Sequence, residues 1–158
     1  MTTRDAHPGY WLLKSEPSTF SIDDLAARAG RRDSWTGVRN YQARNYLRSM
    51  QRGDRAFFYH SSARQTGVAG IVQIASVAYP DPTAFDRNDD HYDPKSHPER
   101  PIWYTLDVRL ERKLRRIVPL AELRAQRELS DLMLLRPGNR LSVMPVSAGD
   151  WNTILRLE

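Results

Sequence analysis

Four short stretches gather side chains capable of chemistry: Lys14-Ser15-Glu16-Pro17, Trp35 to Tyr41, Tyr59-His60-Ser61 and Arg140-Leu141-Ser142. In each, polar groups close an otherwise apolar run, so strands would deliver them to a common rim. Lys14, Ser15, His60, Ser61 and Ser142 could line a pocket mouth, with Trp35 as a stacking wall and the backbone around Gly37 to Asn40 open to a ligand. Every one of them also has a plainer structural use: Trp35 as core, His60 as a satisfied strand histidine, Ser142 as a strand-end cap. Lys14 beside Glu16 could supply a base and a polarising group, and Ser15 and Ser61 are hydroxyls, but no nucleophile sits beside an obvious base. The G-x-S-x-G turn of serine hydrolases is missing.

Other chemistries fall away quickly. The chain has no cysteine, which removes disulfides, thiolate ligands and thiol nucleophiles. His7, His60, His91 and His97 lack H-E-x-x-H spacing, so zinc is not expected. The run from Asp86 imitates a calcium loop, but its sixth position is His91 where glycine is needed and its twelfth is His97 where glutamate is needed. No metal or other cofactor is expected. Gly67-Val68-Ala69-Gly70 matches the G-x-x-G of an RNA-binding loop as a string only, because nothing basic lies between the glycines.

The elements that must position these residues can be read from periodicity. Tyr10 to Lys14 is a buried strand ended by Pro17. Ser21 opens a helix with Asp24 as its capping-box partner, and Gly30 stops it. Asn40 to Met50 is a second helix facing the core through Tyr46, Leu47 and Met50. Arg55 to Ser61 and Val68 to Tyr79 are strands, the latter apolar on both faces. A proline-rich loop runs from Tyr79 to Pro101, longer than the ~12 to 15 residues usual for a loop without structure. Ile102 to Arg116 alternates as a long strand with one wet face. Short helical stretches fill Leu120 to Leu135. Ser142 to Val146 is a strand that Pro145 assigns to an edge or bend, and Ser147 caps a last helix with Asp150. Consecutive strands with helices early and late give an α+β domain on a twisted or closed mixed sheet.

With 158 residues, a single domain over 10–158 after a tail at 1–9 is expected. Lys+Arg 24 against Asp+Glu 19 gives a net charge of +5, a balance that favours polyanions without requiring them. The N-terminus carries no secretory pattern and no run is long enough for a membrane span, so a cytoplasmic location away from membranes is expected.

The segments WLLKSEP (11–17), WTGVRNYQARN (35–45), GDRAFFYHS (53–61), YPDPTAFD (79–86), YDPKS (92–96) and RLSVMPV (140–146) resemble, in order, those of the EVE-domain family. That resemblance implies a PUA-like fold, a mixed β-barrel with flanking helices, related to the YTH readers of methylated adenine in RNA and more distantly to the SRA readers of methylated cytosine in DNA. It implies a binding module, with no catalytic residues, for a modified base swung out of nucleic acid, DNA ahead of RNA. In that likeness Trp35 stacks on the base, and Lys14 and Ser15 supply polar contacts. Asn40 and the backbone near Val38 and Arg39 bond the base edge, Tyr59, His60 and Ser61 complete the rim, and Ser142 with Pro145 forms the far side. Arg31, Arg32, Arg44 and Arg48, with Arg39, would meet phosphates. A separate effector protein is a further partner the likeness leaves open. Two rivals stand beside it: a small amidohydrolase acting on a modified nucleoside, as in some ASCH-domain relatives, and an RNA-binding accessory protein.

Overall fold

The computed structural model describes residues 9–158; of the expected tail, all but Gly9 lies outside them. Its frame is one six-stranded mixed sheet. The strands are β1 (Tyr10–Ser15), β2 (Arg32–Ser34), β3 (Arg55–His60), β4 (Gly67–Ile74), β7 (Asp107–Pro119) and β8 (Val143–Val146), in the order β2-β7-β4-β3-β1-β8. Only β1 and β3 run parallel, in a register that places Ser15 beside His60. The sheet curls as a half-barrel, with β2 and β8 at its two edges. A two-stranded ribbon, β5 (Tyr79–Pro80) with β6 (Tyr104–Thr105), stands apart.

Both faces of the sheet are covered. Leu13, Phe58, Val72 and Leu110 bury against α1 (Ile22–Ala27) and α2 (Tyr41–Ser49) on one face. Leu12, Phe57, Ile71 and Met144 bury against α3 (Leu120–Arg124) and α4 (Ala148–Leu155) on the other. Alternate residues of β1 and β3 therefore serve different cores, which explains their near-continuous apolar runs. On the second face Trp151 stacks on Phe57 with ring centres 3.9 Å apart.

Local rules set the helix ends. Ser21 and Asp24 form the full capping box of α1, Asn40 caps α2 by accepting from the Ala43 N–H at 3.0 Å, and Ser147 caps α4 through the Asp150 N–H at 3.1 Å. α1 stops at Ala27, earlier than the expected stop at Gly30, because Arg28 turns extended. Gly30 (φ 63) and Arg31 (φ 53) then reverse the chain in the left-handed region and feed it into β2. α1 closes over β4 only because residue 70 lacks a side chain. A Cβ on Gly70 would lie 2.2 Å from Ile22 Cδ1.

The long strand expected from Ile102 is two strands: β6 ends at Thr105 and β7 begins at Asp107, the chain changing partner at Leu106. Pro145 lies on the edge strand β8, opposite Trp11. The 79–101 segment is ordered by its own carboxylates. Asp81 accepts from Thr83, Gly37 and Arg39, and Asp93 accepts from the Trp103 indole at 2.7 Å.

Candidate functional site

A cavity of about 560 Å³ opens where β1 ends, between the 16–20 turn, the Arg32–Val38 segment and the tip of the 79–101 loop. Its apolar wall is Phe20, Trp35 and Val38. Trp35 is only 6% exposed. It is held edge-on against Phe58, ring centres 5.2 Å apart, and the residue's backbone N–H donates to the Leu106 carbonyl at 2.8 Å. Most of this ring thus belongs to the core, and only part of it meets the cavity. That position follows from β2, three polar residues that pair with β7 and deliver residue 35 inward.

Polar groups face this wall. Ser15 donates its hydroxyl to the Phe20 carbonyl at 2.6 Å, pinning the 16–20 turn. Arg28 and Asp33 form an ion pair at 2.9 Å on the rim. Lys14 by strand alternation belongs to the opposite face and reaches the cavity at the strand end. Its Nζ lies 6.0 Å from the Tyr59 ring centre, and burial pushes the ammonium below its usual pKa. Burial pushes the Tyr59 phenol up to about 12, with the Arg124 charge working against it.

The floor near residue 37 is built by close approach. Gly37 has φ 89, and a Cβ there would stand 2.7 Å from His91 Nε2, so glycine alone lets the loop histidine seat against this backbone. The Gly37 N–H donates to Asp81 at 2.8 Å. Asp81 is fully buried. Burial alone would raise its pKa, yet hydrogen bonds from the Thr83 hydroxyl, the Gly37 N–H, Arg39 and the Thr83 N–H together hold it below the usual carboxylate value. Arg39 completes the clamp, bonding Asp81 at 3.0 Å and the His91 carbonyl at 2.8 Å.

Of the residues singled out from sequence, Lys14, Ser15, Trp35, Val38 and Ser142 line this cavity. The others are placed elsewhere. The Arg39 guanidinium locks the 79–101 loop, and the Asn40 amide oxygen is taken up as the α2 cap. Tyr59 is buried on the second face. His60 is buried with its Nε2 accepting from the Ile22 N–H at 3.1 Å, Ser61 bonds the Ser15 carbonyl through its backbone, and Pro145 lies on the outer strand opposite Trp11. Arg32 is paired with Asp107 at 2.9 Å. Arg44 is bonded to the Ile102 carbonyl at 3.0 Å and stacked on Tyr41, Arg48 is stacked on Tyr104, and Arg31 occupies the left-handed turn. Thr19, Phe20, Arg28, Asp33, Ser34 and His91 join the lining without having been anticipated. For His91 the only advance signal was the unusual length of its loop.

Among the described residues no group of His, Asp or Glu is arranged to hold a metal ion, and no helix is long and apolar enough to cross a membrane. The arrangement suits a flat, partly apolar group whose edge carries donors and acceptors.

The EVE domain family model matches residues 9–157. The chain belongs to the EVE-domain family. Human thymocyte nuclear protein 1 is 41% identical over 165 residues, an alignment spanning 94% of this chain and 73% of that protein. A crystal structure from Pseudomonas putida superposes on this EVE domain with a TM-score of 0.90 at 48% identity, covering 94% of this chain and 98% of the other. The human THYN1 protein in complex with 5-methylcytosine-containing DNA superposes with a TM-score of 0.91 at 40% identity, covering 94% and 96%. The YTH domain of Zygosaccharomyces rouxii MRB1, in complex with N6-methyladenosine RNA, shares the fold at a TM-score of 0.51 and 16% identity, over 99% of this chain and 88% of that one. The EVE domain is therefore a PUA-like α+β fold.

Proposed function

We propose that this EVE domain binds nucleic acid carrying a modified base, with DNA preferred over RNA, by taking the base out of its stack into the cavity at the end of β1. The observation that carries this reading is the cavity's composition: an aromatic and aliphatic wall of Phe20, Trp35 and Val38 opposed by Ser15, Ser142 and Lys14. Its size lies within the roughly 300–1,000 Å³ range of small-molecule sites. The human relative solved with 5-methylcytosine DNA supports the ligand class and the preference for DNA.

The energetics fit a reader. Unstacking a base costs a few kcal/mol, stacking on an aromatic wall returns about 1–3 kcal/mol, and a buried methyl adds about 0.8 kcal/mol. A methyl alone is worth less than a factor of ten, so discrimination must come from shape as well. The test is fluorescence anisotropy with matched duplex and single-stranded oligonucleotides, DNA and RNA, each carrying one of a panel of base modifications or none. Tighter binding of at least one modified DNA is expected. Equal affinity for marked and unmarked strands across the panel refutes the reading.

A further inference from the structure

We propose that the phosphate backbone is gripped by a basic edge formed by Lys14, Arg64, Arg124, Arg136 and Arg140, around the end of the sheet where the cavity opens. The proposal rests on the nucleic-acid reading above and adds where the polymer lies. β1 ends at Ser15 and β3 at His60, so the 61–66 turn carrying Arg64 leaves from the same end of the sheet. β7 arrives there at Pro119, and the Leu120 N–H donates to the Thr66 carbonyl, which brings α3 and its Arg124 alongside. Arg124 is close enough to Tyr59 to influence its ionisation, and Tyr59 is the ring beneath Lys14. The segment entering β8 carries Arg136 and Arg140, and is tied to the cavity by the Lys14 N–H bonding the Ser142 carbonyl at 2.8 Å.

Four separate segments thus place cations at one end of the fold. The four arginines are exposed, and among the described residues none of the five cations forms an ion pair. Several basic residues elsewhere are neutralised by a carboxylate: Arg28, Arg32, Arg39, Arg55, Arg112, Lys113, Arg116 and Arg156. What sets this edge apart is that unpaired cations from four segments meet beside the cavity. The acidic residue of α3, Glu122, is taken by Arg116, and of the two carboxylates lining the cavity, Glu16 and Asp33, Asp33 is taken by Arg28. Arg44 and Arg48, by contrast, are held flat on Tyr41 and Tyr104, and Arg44 is spent on a carbonyl.

The test measures anisotropy of a 5-methylcytosine duplex and the same unmodified duplex from about 50 to about 200 mM salt. The protein is compared with Arg124→Gln/Arg136→Gln/Arg140→Gln, all on exposed positions, and with Arg44→Gln/Arg48→Gln, where Arg48 is exposed and Arg44 half-buried, with circular dichroism confirming the fold. The triple variant is expected to weaken both duplexes by the same factor and to lower the slope of log affinity against log salt by about 2.7, roughly 0.9 per contact removed. The double variant is expected to keep the slope. An unchanged slope in the triple variant, or a loss confined to the methylated duplex, overturns the proposal. If the unmutated protein binds both duplexes equally, the base-reading function fails while the slope difference still reports on the edge.

Discussion

Substituting Asp81 with asparagine tests how the cavity is held together. Asp81 is fully buried, and its two oxygens have separate tasks: Oδ1 accepts from the Thr83 N–H at 2.8 Å and hydroxyl at 2.6 Å, while Oδ2 accepts from the Gly37 N–H at 2.8 Å and Arg39 at 3.0 Å. Asparagine keeps the shape and can keep the Thr83 side. Its amide nitrogen then replaces Oδ2, so a donor confronts two donors. Two bonds to a charged acceptor are worth about 1.5–3 kcal/mol each. Arg39 retains the Val38 and His91 carbonyls and is a fifth exposed, which brings the expected cost to the lower end, about 3 kcal/mol. For a domain of this size that is a fall in Tm of roughly 6–12 °C. The sign of the pH dependence follows from the depressed pKa. A carboxylate held below its unfolded value of 3.8 stabilises the fold above that pH and loses this contribution as pH falls through the lower folded value. Urea denaturation of both proteins from neutral to strongly acid pH should therefore show a full gap at pH 7 that closes only below about pH 4. A gap under about 1 kcal/mol at neutral pH, or one that persists unchanged in acid, would refute the clamp.

Two further outcomes are expected. Trp35→Ala should cost about 3–5 kcal/mol of stability, as buried aromatic truncations do, because the ring packs on Phe58 and Phe20; a thermal melt within a few degrees of the parent would show that Trp35 is mainly cavity wall. His60 should act as an acid-labile joint. Burial lowers its pKa, with the Asp23 charge opposing, and its Nε2 must stay unprotonated to accept from the Ile22 N–H. The folded pKa lies below the unfolded 6.5, so this stabilisation is present above 6.5 and is lost as pH falls beneath it. His60→Gln should flatten the stability profile just below pH 6.5, and a parallel profile in chemical denaturation would count against the role.

Much of the framework was legible because it depends on local rules. The Ser21 and Ser147 caps, the alternation through Val108, Leu110 and Leu114, and Pro145 as an edge marker each arise within a few residues. What escaped depends on distant partners. β2 is Arg-Asp-Ser, with no strand preference of its own, and exists by pairing with β7. The break at Leu106 is invisible because alternation continues straight through it. The cavity divides the same way. Lys14, Ser15 and Ser142 could be grouped from polar strand ends, whereas His91 arrives from a loop whose seat depends on the distant Gly37 and on the bond between Arg39 and the loop's own Asp81. Arg39 and Asn40 have side-chain chemistry suited to a ligand, but a buried carboxylate and a helix terminus claim it first.

The Asp81 clamp also governs when the site comes into being during folding. Gly37 and Asp81 are 44 residues apart, so closing that contact costs loop entropy no helix or hairpin can offset alone. The cavity wall at residues 35–38 is completed only when the 79–101 segment has docked. Binding competence should appear late in refolding, after most of the sheet's signal has recovered, and ligand capture would serve as a kinetic reporter of that last docking step.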